Sequence, residues 1–124
     1  MLSSIEIQKG WVEDMQNFLK DSNIYTVKEI MASKNPDCVA MRCGIVCVLQ
    51  SFGLSDTRIC RVCGLTSGQV YRAKQHIIDY TRENNVDFSR LVEMLKKITN
   101  KKIKEQEIEW NRMMEEFDKI HGLA

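Results

Sequence analysis

Only one proline and six glycines punctuate the 124 residues. So few breakers argue against a turn-rich β fold and for helices with short connections. Alternating apolar and polar runs of the strand kind are nearly absent as well, so the fold class expected is all-α. No apolar stretch approaches membrane-spanning length, and Met1–Gly10 lacks the basic start and apolar middle of a signal peptide. The expectation is a cytoplasmic protein without membrane contact, whose five cysteines stay reduced. Charge is nearly balanced, at a formal +1, which gives no global pull toward a polyanion. There is no G-x-x-x-x-G-K-[ST] run for a nucleotide. His76 and His121 are the only histidines, and neither has a cysteine or carboxylate at catalytic spacing. No enzyme, cofactor or small-molecule substrate is therefore expected.

What is present is the composition of one globular domain, 44% hydrophobic and 28% charged. Its organising stretch is residues 54–82, which reads as two helices joined by a tight turn. Ser55 is a good N-cap, and Ile59, Val62 and Cys63 give the short helix after it an apolar stripe. Gly64 sits where that helix must stop with a positive φ. Thr66 opens the second helix, and Gln69 three residues later completes a capping box. Val70, Ala73 and Ile77 then recur on its inward face. A small residue, Cys60, stands where the two helices cross.

Around this pair the chain offers four more segments. Ile5, Trp11, Met15, Phe18 and Leu19 suggest a helix over residues 1–23, ending near Asp21-Ser22-Asn23. Thr26 with Glu29 forms a capping box for a short helix over Val27–Ala32. Asn35 and Pro36, as N-cap and N1, start a helix to about Phe52 that is apolar on most faces and so belongs at the centre. Glu83-Asn84-Asn85 breaks the second helix of the pair. Asp87 is then expected to cap a helix with Phe88, Leu91, Val92, Leu95 and Ile98 inward, interrupted at Thr99-Asn100. The tail, residues 101–121, mixes charges with Ile103, Trp110, Met113, Phe117 and Ile120. Most of these, with Gln106, follow a heptad spacing, which suggests docking on the residue 11–18 helix or homodimer formation through the C-terminal helix.

The run from Ile24 to about Lys97 resembles the C-terminal DNA-binding domain of the bacterial replication initiator DnaA, whose fold is related to that of the Trp repressor. YTVKEIMASK is similar to that family's opening helix. AMRCGIVCVLQSFGLSDTRICRVCG looks like its arginine-led central helix and the segment that follows. YTRENNVDFSRLVEMLKK is similar to its closing helix. The resemblance implies binding of a short duplex sequence by a helix-turn-helix, helped by a basic loop and a central-helix arginine. Arg42 matches that arginine, and Val70 and Ala73 match apolar positions of the recognition helix. The basic loop corresponds to SKNPD, with Lys34, and the recognition run to LTSGQV. The ATPase module of full-length initiators has no counterpart.

In generic helix-turn-helix docking, the N-terminal part of the second helix meets base edges. With Val70 and Ala73 inward, the outward positions are Ser67, Gly68, Tyr71, Arg72 and Gln75. Arg72 suits guanine and Gln75 suits adenine. Phosphate contacts are expected from Lys34, Arg42, Arg58, Arg61, Lys74 and Thr66 at the helix N-terminus. Double-stranded DNA is thus the leading partner. The competing class is a protein-interaction adaptor that keeps the fold without the DNA surface. Cys60-x-x-Cys63, with Cys38, Cys43 and Cys47 upstream, invites a zinc reading. Both residues already have packing roles on a helix, so the expectation is structural cysteines and no metal.

Overall fold

A computed structural model describes residues 3–122. Those residues form six α-helices and no strand, so the fold is all-α. The order is α1 (Ser4–Ser22), α2 (Val27–Ala32), α3 (Pro36–Ser51), α4 (Asp56–Cys63), α5 (Ser67–Arg82) and α6 (Val86–Ile120).

Each helix starts at a side-chain cap. Thr26 accepts from the Glu29 amide and Thr66 from the Gln69 amide, and both complete capping boxes. Asn35 accepts from Asp37 ahead of Pro36, and Ser55 accepts from Arg58. Ser3 and Glu6 form a third box at the head of α1. The α4 helix ends at Gly64 with φ 67°, and Gly64-Leu65-Thr66 is the whole connection to α5. The α5 helix stops at Glu83, where Asn84 takes φ 51°. Asparagine is among the few side chains that adopt this left-handed region readily.

All six helices feed one core. The central helix is α3, where Cys38, Met41, Cys43, Ile45, Val46, Val48 and Leu49 are all buried. Against it pack Ile30 of α2, Ile59 and Val62 of α4, Val70 and Ala73 of α5, and Phe88, Val92 and Leu95 of α6. Gly44 sets how near α6 comes, since a Cβ there would lie 3.1 Å from Leu91 Cδ2 and from Leu95 Cδ1. Val12, Met15 and Leu19 of α1 close the cluster from the other side.

Two boundaries differ from the sequence expectation. The cap of α6 is Asn85, whose side chain accepts from the Phe88 amide, and Asp87 lies inside the first turn. There is also no break at Thr99-Asn100, so α6 runs unbroken for 35 residues and the tail is not a separate helix. Thr99 is fully buried, and its hydroxyl donates back to the Leu95 carbonyl at 2.9 Å. Turned backward in this way, a threonine satisfies itself within a helix instead of starting a new one.

Docking of the tail on α1 is also only partial. Trp11 Nε1 donates to Gln106 at 2.8 Å, Gln106 donates to the Ile7 carbonyl at 3.2 Å, and Lys102 pairs with Asp14 at 3.7 Å. Beyond Gln106 the helix leaves the body of the protein. Trp110, Met113, Phe117 and Ile120 remain 40, 45, 48 and 80% exposed.

Candidate nucleic-acid interface

The α5 helix is amphipathic because Val70 and Ala73 must face α3, which fixes the opposite side outward. Ser67, Gly68, Tyr71, Arg72 and Gln75 all lie exposed on that side, with Tyr71 at 64%. Arg72 folds back over Gly68, with one guanidinium nitrogen 3.8 Å from where a Cβ would stand. The capping box takes up the Thr66 and Gln69 amides, which leaves those of Ser67 and Gly68 at the open N-terminus of α5.

Beside this face runs a groove of about 650 Å³ between α5 and the α2–α3 corner. Its rim carries Lys34, Arg42, Arg72 and His76, and no carboxylate lines it. Its floor is Cys43, Ala73 and Tyr80, with Tyr80 stacked on Phe88 at 4.4 Å between ring centroids. Burial pushes the Tyr80 phenol above its ordinary range. Positive charge thus converges at the foot of α5 although the chain as a whole is nearly neutral.

The six positions expected to meet phosphate are not alike. Arg42 donates from Nε to the Ile30 carbonyl at 3.2 Å and from its terminal nitrogen to the Ser33 carbonyl. It therefore satisfies the open end of α2, a job that needs an arginine fork. Arg58 reaches across to α1, donating to Ser4 Oγ at 3.0 Å and Gln8 Oε1 at 3.2 Å. Lys74 pairs with Asp56 at 3.0 Å on the surface. Lys34 and Arg61 are exposed and, like Arg72, make no ion pair or side-chain hydrogen bond among the described residues. Of these five cations three are held by the fold, and two, Lys34 and Arg61, are available beside the outward-facing Arg72.

The cysteines fill space. Cys38 and Cys43 are buried, while Cys47, Cys60 and Cys63 are half-buried, and none is bonded to another. Burial raises the Cys43 thiol to about 11 and the Cys63 thiol to about 12. Among the described residues, no group of three or more His, Cys, Asp or Glu side chains converges as a metal site would require. No described helix is long and apolar enough to cross a membrane.

Compared with known proteins, the chain matches no protein-family model, no curated protein and no solved structure.

Proposed function

We propose that this protein binds duplex DNA, with the N-terminal half of α5 lying in the major groove. The observation that carries the reading is the joint exposure of Ser67, Gly68, Tyr71, Arg72 and Gln75 beside a groove rimmed by cations and lined by no carboxylate. The similarity of residues 24–97 to a DNA-binding helix-turn-helix domain points the same way. Arg72 pairs with guanine and Gln75 with adenine, the commonest bidentate partners of those bases. Lys34, Arg61 and the N-terminus of α5 hold phosphates and set the register. Arg42 acts from behind by fixing the loop that carries Lys34.

A selection from random duplex oligonucleotides at low salt, followed by a mobility shift on the enriched sequence, tests this. Enrichment of a common motif supports the reading. Failure to shift any duplex at roughly 50 mM salt, a permissive condition for such contacts, removes it.

One observation favours a second reading, a protein-interaction adaptor on the same scaffold. Arg42, Arg58 and Lys74 are spent on internal partners, which leaves a sparse set of cations for a backbone. An adaptor would give no motif in the selection and would use the exposed apolar surface of α6 instead.

A further inference from the structure

The face of α6 that receives α1 does not end where α1 ends. The two helices run antiparallel, since Asp14 meets Lys102 while Ile7 meets Gln106. The head of α1 at Ser4 is therefore only about one turn further along α6. Past it, Trp110, Met113, Phe117 and Ile120 continue the alternation of three and four set by Ile103 and Gln106. Among the described residues no other element packs over them fully, and they stay 40 to 80% exposed. Where α1 stops, Ile7 and Trp11 with Ile103, Trp110 and Met113 border a groove of about 770 Å³.

We propose that a second copy of this chain covers this seam. Its α6 lies antiparallel across the first, about a two-fold axis near residue 115. Three features select that occupant. The first is direction, because a helix antiparallel to α6 continues the line that α1 already follows. A parallel copy in register would have to pass through the place that α1 occupies over residues 103–106. The second is bulk. The two-fold sets Trp110 of one copy against Ile120 of the other, and Met113 against Phe117. It also brings the end of each α6 to the groove of its partner.

The third feature is charge. Along one flank of the seam, Glu109, Arg112, Glu116 and Lys119 alternate in sign. Read in reverse, the same four alternate the other way. An antiparallel pair therefore faces Glu109 with Lys119 and Arg112 with Glu116, each twice. The two Arg112 side chains also stand beside the two Glu116 carboxylates, which approach each other near the axis. On the other flank Met114 meets its own twin, and Glu107 lies toward His121. Such a seam is isologous, as closed dimers require. Exposed Ile108 lies on the opposite side of α6 and takes no part.

The seam is short, so association belongs in the micromolar range. Sedimentation equilibrium of the full chain, from low-micromolar to submillimolar concentration, should show the mass rising from one copy to two. Trp110→Glu and Phe117→Glu should each weaken that association by about ten-fold or more. Phe117→Glu should leave the thermal unfolding curve of the dilute single copy unchanged, because that side chain lies past the head of α1. Trp110→Glu, at the edge of the groove with Ile7 and Trp11, should lower it slightly. Met114→Cys should form a disulfide between copies when diamide accepts the two hydrogens, and the wild-type chain should not. One-copy mass at all concentrations overturns the proposal, and so does a doubling that ignores both glutamate substitutions. Doubling without the Met114→Cys crosslink overturns the antiparallel arrangement. None of these results depends on DNA, so they stand or fall apart from the function proposed above.

Discussion

Arg72 and Arg61 are both exposed cations near α5, yet they do different work in the proposed complex. Arg72 projects from the face that meets base edges, so Arg72→Ala should weaken the selected sequence by about 1–3 kcal/mol and relax preference at one base pair. Arg61 lies on α4, beside the backbone, so Arg61→Ala should weaken all sequences alike. Competition binding against scrambled duplex separates the two, and equal losses on both sequences for Arg72→Ala would count against base readout. Arg42 is a different case. Its hydrogen bonds to the Ile30 and Ser33 carbonyls are charge-assisted and half-buried. Arg42→Ala should therefore cost about 1.5–3 kcal/mol of stability in a denaturant titration, whatever it does to binding. Arg42→Lys should recover only part of this, since an ammonium cannot fork between two carbonyls. The thiols of Cys43 and Cys63 stay protonated well above neutral pH because burial raises them. Brief alkylation at pH 8, read by mass spectrometry, should leave both unmodified until the protein is unfolded, because only the thiolate reacts.

Helix ends decide how much of an element is written in its sequence. The starts of α2, α3, α4 and α5 were legible because Thr26, Asn35, Ser55 and Thr66 each stand before an apolar run and cap it. The stop at Gly64 was equally plain. Gly64→Ala should cost about 1–2 kcal/mol, the strain of a Cβ at φ 67°, measurable as a lower midpoint of unfolding. Thr99-Asn100 misled because a threonine hydroxyl can cap forward or bond backward, and only the burial of this one against the core settles which. Nothing local encodes that choice. The Ser3-x-x-Glu6 box was readable by the same rule as the others, and it alone would have placed the start of α1. For the candidate interface, periodicity was enough to place Ser67, Gly68, Tyr71, Arg72 and Gln75 outside once Val70 and Ala73 were inside. The commitments of Arg58 and Lys74 were not legible. Their partners Ser4, Gln8 and Asp56 lie on other helices, and only the packing of α1 and α4 brings them within reach.

At the scale of the whole molecule, near-neutral charge and a DNA-binding surface conflict unless the cations are used sparingly and more than once. A single copy offers Lys34 and Arg61 to phosphates after internal partners are counted, with Arg72 committed to a base. Each phosphate neutralised contributes about −0.9 to the slope of log affinity against log salt, so one copy should show a slope near −2. That is a weak grip, and a small rise in salt should release it. Two copies joined along the α6 seam would present the same two residues twice, and the slope should approach about −3.6 on a duplex long enough for both. Trp110→Glu should bring it back toward the single-copy value without touching any residue of the interface. The measurement is fluorescence anisotropy of labelled duplex across a salt series, at protein concentrations below and above the dimerisation midpoint. A slope that is the same on both sides of that midpoint would mean that the second copy adds no contact to the DNA. A steep slope in the dilute single copy would mean that Arg58 or Lys74 gives up its internal partner on binding. The Arg58→Ala and Lys74→Ala variants would then lower the slope by about one each.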